Sequence, residues 1–426
     1  MNRTLYTLLL YLMLPFTPLK LLWRGRKQKE YLAHWQERYG FYQLRCNQPV
    51  IWLHCVSVGE TRAAEPLVKA LMTQYPHRQI LLTHTTPTGR ATSQQLFGER
   101  VQSVYLPYDV PCGIQRFLNH FKPDIGIMME TELWFNLIAA CKQRQIPLLL
   151  VNARLSEKSA RGYAKLGKLV AQGLQDLTAI AAQTANDAAR LQQLGARHVQ
   201  VTGNLKFDVN APEQATVLGQ QLRNMVAGKR PVFLAASTRD GEERLILQAL
   251  KQANISNLLT IIVPRHPQRF DEVADLLQAQ ACKFVRRSSL NDEITSPTEA
   301  SQPDVSFVLG DSMGEMFAYY AACDVAFIGG SLVPLGGQNL IEAFSMGKPV
   351  LIGPHTFNFA QISDMAIQAG AALRVQNTEA LAQQMQQLFT NTEQRAHMAA
   401  AALAFCSQNQ GATQRTLDLL AQHLKA

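Results

Sequence analysis

Residues 324–359 read DVAFIGGSLVPLGGQNLIEAFSMGKPVLIGPHTFNF. Residues 324–328 predict a buried strand. A glycine-rich turn follows at Gly329, Gly330 and Ser331, and a second glycine pair stands at Gly336 and Gly337. Gln338 and Asn339 lead into a predicted helix at 340–346, which Gly347, Lys348 and Pro349 end. Another apolar strand is predicted at 350–353. Strand, glycine loop, helix and strand form a βαβ unit, whose helix N-terminus offers backbone N–H groups to a phosphate. The same glycines also suit a plain crossover that only turns the chain, so the rest of the sequence has to decide.

Outward from this stretch the pattern repeats. Short runs apolar on both faces, at 231–236, 258–263, 283–286 and 305–309, precede it. Seven more stand at 50–56, 79–84, 101–106, 124–129, 147–151, 178–182 and 198–202. Helical stretches separate them, as expected for parallel sheets covered on both faces. A helix is predicted at 213–226, and residues 288–304, polar and with Pro297 and Pro303, read as a loop. The predicted fold is α/β, with two doubly wound Rossmann-like domains whose ligands lie in a cleft between the carboxyl ends of their strands. The boundary falls near 208–212, giving an anchor at 1–27, a first domain at 28–210 and a second at 211–426.

A chain of 426 residues is long for one core, which agrees with two domains. Its composition, 47% hydrophobic and 17% charged, is that of a folded protein. A net charge of +9 points to an anionic partner, and the lack of any long Lys/Arg run argues against nucleic acid. Seven scattered cysteines, none in a C-x-x-C pair, fit a reducing compartment without a zinc site. Residues 4–19 carry no charge, and Trp23, Arg24, Arg26, Lys27 and Lys29 follow. This predicts a short spanning or deeply embedded anchor, basic residues at the headgroups and the domains on the cytoplasmic side. Pro15 and Pro18 weaken a single straight helix. Residues 28–39 read as a polar, basic helix.

Six constellations stand at predicted strand ends. His54-Cys55-Val56-Ser57-Val58-Gly59-Glu60 opens a predicted helix running to Tyr75. There Glu60 is either a carboxylate favoured by the helix dipole or a general base, and a base needs burial to offset that dipole. Met129-Glu130-Thr131-Glu132 ends a strongly apolar strand in two acids, with Thr131 and Glu132 also fit to cap a helix. In Gly203-Asn204-Leu205-Lys206-Phe207-Asp208, Lys206 is a solvated hinge lysine or a cation for a leaving phosphate. Pro264-Arg265-His266-Pro267 holds Arg265 and His266 in an extended turn, and arginine suits paired contacts with phosphate oxygens. Gly310, Asp311, Ser312 and Met313 form a turn with accessible amides, although Asp311 or Ser312 also suits an N-cap. Finally, Asn339 and Glu342 fit an N-cap and third helical position close to a capping box, while Glu342 alternatively holds ribose hydroxyls. Three second-domain loops thus converge on one anion site. With no H-E-x-x-H, D-x-D or Walker-type loop, phosphate charge is expected to be met by amides, Arg265 and Lys206 rather than by a metal.

These motifs in this order (HCVSVGE, METELW, VTGNLKFD, VPRHPQRF, LGDSMGEM, GGSLVPLGGQN and GPHTFNF) closely resemble the 3-deoxy-D-manno-octulosonic acid (Kdo) transferases of lipopolysaccharide synthesis, over nearly the whole chain. The resemblance implies a GT-B fold and an inverting glycosyltransferase of the cell inner membrane needing neither metal nor cofactor. It implies CMP-Kdo as donor and the lipid A precursor, lipid IVA, as acceptor. Carried over, it makes Glu60 the general base and Glu130 and Lys206 transition-state stabilisers. It places CMP on Arg265, His266, Gly310, Asp311, Ser312, Met313, Gly336, Gly337, Gln338 and Asn339. The family often has His where Gln338 stands and Pro where Phe135 stands. The rival readings are a GT-B enzyme of UDP-sugars, whether transferase or 2-epimerase, and a membrane-attached nucleotide-sugar sensor without chemistry.

Overall fold

A computed structural model describes residues 1–209, 211–290 and 304–424. The chain separates into two compact units, one of Met1–Asp208 with Asn409–Ala426 and one of Val209–Gln408. Most of the polar stretch at 288–304, and residue 210 at the expected boundary, lie outside the described residues.

The first unit is built on β1 (Val50–His54), β2 (Gln79–His84), β3 (Gln102–Tyr105), β4 (Ile125–Met129), β5 (Leu148–Ala153), β6 (Ala179–Ala182) and β7 (Val199–Val201). Among the described residues these make one parallel sheet in the order β3-β2-β1-β4-β5-β6-β7. Period-two alternation sends Val50 and Trp52 into the core on one face and Ile51 and Leu53 into the core on the other. Strand order reverses between β1 and β4, where His54 sits in register with Met128. The loops that follow these two strands therefore share the crevice where α/β folds bind ligands.

The second unit repeats the design with β8 (Val232–Thr238), β9 (Leu259–Pro264), β10 (Phe284–Arg286), β11 (Phe307–Leu309), β12 (Val325–Ile328), β13 (Val350–Ile352) and β14 (Ala372–Arg374). Their order is β10-β11-β9-β8-β12-β13-β14, all parallel. Its reversal lies between β8 and β12, with Ala236 beside Ile328. The two chains pass so close there that a Cβ on Gly329 would come within 2.4 Å of the Ser237 carbonyl oxygen, so only glycine fits.

Three expectations need correction. Residues 28–39 do not form one helix: Lys29–Leu32 and Trp35–Tyr39 are separate 3-10 turns, with Ala33 extended and His34 left-handed at φ 52°. The break turns Glu37 inward, where its Oε2 accepts from Arg90 Nη1 at 2.8 Å and from the Tyr105 amide at 2.8 Å. The helix expected from Glu60 to Tyr75 is two, Val58–Ala63 and Glu65–Gln74, because Pro66 has no N–H to continue the first. The expected second domain, 211–426, gives up its end. Ala412, Leu417, Leu419 and Leu420 join the core of the first unit, and Asp208 Oδ1 accepts from the Gly411 amide at 2.7 Å.

The N-terminal segment Arg3–Lys27 is long and apolar enough to cross a membrane. A 3-10 turn, Leu14–Phe16, interrupts it at Pro15. Leu8, Leu12, Met13, Phe16, Leu19, Leu22 and Trp23 are exposed. Its other side is fastened to the first unit. Tyr6 donates to Asp109 Oδ2 at 2.9 Å, Thr7 to Asn136 Oδ1 at 2.8 Å, and Thr17 Oγ1 lies 2.8 Å from the Tyr39 hydroxyl.

Candidate active site

In the first unit Ser57 is extended and its hydroxyl accepts the Glu60 N–H, starting the helix Val58–Ala63. Glu60 is that helix's third residue and reaches back, its Oε2 accepting the Val56 amide at 2.7 Å. Ser57 Oγ donates to its other oxygen, Oε1, at 3.3 Å. The Val56 carbonyl is itself held by Thr85 Oγ1 at 3.3 Å and Thr86 Oγ1 at 3.1 Å. Burial pushes the Glu60 carboxyl up to about 8; the nearby Glu130 and Glu132 carboxylates add to this, while the Val56 amide and Ser57 hydroxyl oppose it. Desolvation thus outweighs the helix dipole, the condition a base at this position requires. His54 and His84, both fully buried, are pushed down by desolvation to about 3 and about 4. Both are neutral imidazoles at pH 7, and His84 Nδ1 lies 2.9 Å from the Cys55 carbonyl oxygen.

Across the reversal, Glu130 ends β4 in the left-handed region at φ 58°. A non-glycine residue there stores backbone strain, a common mark of working sites. Glu132 turns away to accept from Trp134 Nε1 at 2.6 Å. Lys206 lies on the 3-10 turn Leu205–Asp208, between the buried Leu205 and Phe207. Asn152 Oδ1 anchors that turn through the Leu205 amide at 3.1 Å. Lys206 Nζ lies 3.7 Å from Glu130 Oε1. Glu60, Glu130 and Lys206 thus belong to one unit, and the last two form an ion pair.

The second unit revises the opening expectation. The amides of Gly330, Ser331 and Leu332 point at a carboxylate of this chain, that of Glu242. Its oxygens accept them at 2.6, 3.1 and 3.0 Å, and the Arg239 amide at 3.2 Å. Glu242 is fully buried, and burial raises its pKa against the pull of the four amides. The first glycine turn therefore holds an internal anion and is closed to a phosphate.

The second glycine pair differs. Gly337 donates to the Gly330 carbonyl at 2.8 Å, while the Gln338 and Asn339 amides have no hydrogen-bond partner among the described residues. Gln338 Oε1 accepts from Arg265 Nε at 3.2 Å, which joins two of the expected nucleotide loops. Desolvation, with Arg239, Arg265 and Arg269 nearby, lowers the His266 pKa. Asn339 Nδ2 donates to Glu342 Oε1 at 2.9 Å, and Asn339 Oδ1 accepts the Ile341 amide at 3.1 Å. Glu342 is therefore a partner of the Asn339 side chain. The expected helix 340–346 is the shorter Ile341–Ser345, with Leu340 as its N-cap.

The turn at 310–313 follows β11, two strands removed from β12, and no hydrogen bond links it to residues 336–339 among the described residues. Asp311 is engaged locally: its Oδ1 accepts the Ser288 amide at 2.8 Å and its Oδ2 the Ser288 hydroxyl at 2.6 Å. Ser312 Oγ lies 2.6 Å from the Tyr319 hydroxyl, and Met313 is exposed. The Ser312 and Met313 amides carry no partner among the described residues.

Sequence reading missed Arg239 and Glu242. The signal was Thr238-Arg239-Asp240-Gly241-Glu242-Glu243, a strand end followed by Gly-Glu and a helix, the same grammar as Gly59-Glu60.

A sequence profile described as 3-Deoxy-D-manno-octulosonic-acid transferase (kdotransferase) matches residues 33–209, and one described as Glycosyl transferases group 1 matches residues 298–404. A 3-deoxy-D-manno-octulosonic acid transferase of Bordetella pertussis is 42% identical over 437 aligned positions, covering 99% of this chain and 99% of that one. One of Haemophilus influenzae is 39% identical and covers 100% of this chain and 99% of its own. The crystal structure of a glycosyltransferase from Rickettsia africae ESF-5 aligns with a TM-score of 0.57 at 15% identity, covering 89% of this chain and 100% of that one. That last likeness is one of fold, the GT-B fold of two Rossmann-like units.

Proposed function

This chain belongs to the 3-deoxy-D-manno-octulosonic acid transferase family, as a glycosyltransferase that moves Kdo in lipopolysaccharide synthesis, and from that premise we propose its donor, acceptor and chemistry. The donor is CMP-Kdo, the acceptor is the lipid A precursor lipid IVA, and the anomeric centre inverts in one in-line displacement without a metal. The observation that carries this reading is Glu60, a carboxyl whose burial raises it to about 8 at the strand reversal of the first unit.

In this reading the Val56 amide pins Glu60 Oε2, which leaves Oε1 to take the proton of the attacking acceptor hydroxyl. The acceptor oxygen bonds to the anomeric carbon as the bond to the CMP phosphate oxygen breaks, and the electron pair leaves with CMP. Lys206, oriented by Glu130, offsets the negative charge that develops. CMP is held in the second unit by Arg265, His266, the turn at 310–313 and the amides of 336–339. Asn339 and Glu342 together serve the ribose.

The enzyme is placed at the cytoplasmic face of the inner membrane. The bonding of Tyr6, Thr7 and Thr17 along the first unit supports a segment that lies on that unit and embeds rather than one that crosses a hydrocarbon core of about 30 Å. Leu8, Leu12, Phe16, Leu19 and Trp23 enter the lipid, and Arg24, Arg26, Lys27 and Lys29 meet anionic headgroups. The deciding experiment is mass spectrometry of the lipid made from CMP-Kdo and a tetra-acylated glucosamine disaccharide bisphosphate. A product heavier by Kdo supports the reading. Turnover of UDP-sugars, with none of CMP-Kdo, overturns it.

A further inference from the structure

The proposed donor brings two anions to the second unit, the phosphate of CMP and the carboxylate of the sugar acid. We propose that Arg239 binds the carboxylate of the transferred sugar and so selects an acidic sugar; this rests on the reading of the donor as CMP-Kdo.

The argument begins with placement. Arg239 directly follows β8, at the strand reversal with β12. Its backbone is fixed on both sides. Ser237 is left-handed at φ 56°, and the Arg239 amide donates to Glu242 at 3.2 Å. Its side chain runs toward the proposed donor loop. Arg239 Cγ and Gln338 Nε2 lie 3.2 and 3.3 Å from one point, the Cβ position of Gly330. Arg265 holds the other end of the same Gln338 amide. Two arginines therefore flank Gln338.

Arg269, two loops away in sequence, is consumed by Glu243 at 2.6 and 3.0 Å and by Glu272 at 3.0 Å. The half-buried Arg239 guanidinium has no ion pair or side-chain hydrogen bond among the described residues. Its nitrogens are not among the buried unpartnered atoms, so water reaches them and they stay open to an incoming anion. The obvious rival for a second anion, the amides of 330–332, is already filled by the Glu242 carboxylate. A second carboxylate would meet both its bulk and its charge. A planar guanidinium pairs its N–H fork with two carboxylate oxygens, which a neutral sugar does not offer. Arg265 and the free amides of Gln338 and Asn339 are left for the phosphate.

The test compares wild type with Arg239→Gln and Arg239→Lys, each checked for unchanged thermal unfolding. CMP binding is measured by titration calorimetry, and kcat/KM by CMP release from CMP-Kdo in the presence of the lipid acceptor. The Gln variant is expected to bind CMP within about twofold of wild type while losing about 30-fold or more in kcat/KM, the scale of a charge-assisted pair. The Lys variant, keeping charge without the fork, is expected to fall between them. A parallel loss of CMP affinity would move Arg239 to the phosphate and overturn the proposal, as would a kcat/KM within threefold of wild type. If wild type itself releases no CMP from CMP-Kdo, the donor reading fails first and takes this proposal with it.

Discussion

Glu60 and Glu242 occupy the same place in two copies of one design. Each follows the first strand of its sheet in chain order, each comes directly after a glycine, and each stands in the first turn of the helix that follows that strand. Their fates are opposite. Glu242 is sealed in and accepts four backbone amides, so its charge is spent inside the fold. Glu60 accepts one amide and one distant hydroxyl and faces two other carboxylates. The surroundings are opposite too: carboxylates gather at the reversal of the first sheet, arginines at that of the second. On the proposed reading the same backbone supplies a proton acceptor in one unit and an anion site in the other. What separates them is how many amides each loop turns toward its carboxylate.

The sharpest way to break this comparison is to remove both carboxylates in turn. Glu60→Gln should cut kcat/KM by roughly 10³-fold while CMP affinity is kept, the scale of a lost general base. Substantial turnover by that variant would end the base assignment. Glu242→Ala should leave four amides without their acceptor and cost on the order of 3 kcal/mol in the second unit, read from denaturant unfolding. An unchanged unfolding curve would show that Glu242 is not a pin.

Next, the two should differ with pH. In the free enzyme kcat/KM should rise as Glu60 loses its proton and level off above about pH 8. Stability should move the other way. Between about 4.5 and about 8 the unfolded chain releases this proton and the folded chain keeps it, so the fold weakens as pH rises. The gain in Tm from Glu60→Gln should therefore be larger at pH 8.5 than at pH 5, and an equal gain at both would contradict the raised value. Lys206→Met should lower kcat by about tenfold or more without changing CMP affinity. The smallest effect on chemistry belongs to the apolar N-terminal segment. Replacing Leu8, Leu12 and Leu19 with serine should move the protein from the membrane to the soluble fraction, with CMP binding retained. Retention in the membrane would refute the embedded reading.

Much of this was legible because parallel strands buried on both faces announce themselves as short apolar runs. The thirteen predicted runs all form strands, and β14 was missed because Ala372, Leu373 and Arg374 offer one large apolar side chain beside a charge, with no β-branched residue among them. Residues 28–39 misled because their composition suits a helix while burial of Glu37 dictates a turn. At the site, Glu60, Glu130 and Lys206 could be named from strand ends, but nothing local shows that Lys206 pairs with Glu130 across a separation of 76 positions. The glycine turn at 329–331 looked open to phosphate because Glu242, its occupant, lies almost ninety positions earlier.

Composition, apolar period and glycine placement thus determined two doubly wound units, an apolar N-terminal segment and the glycine-bearing loops at the strand ends, since these depend on neighbours within a few residues. Only the tertiary structure decided which anion fills which nest of amides, how far burial lifts Glu60, and that the last helix returns to the first unit. Those outcomes rest on desolvation and on hydrogen bonds between distant segments, quantities that exist only once the chain has folded.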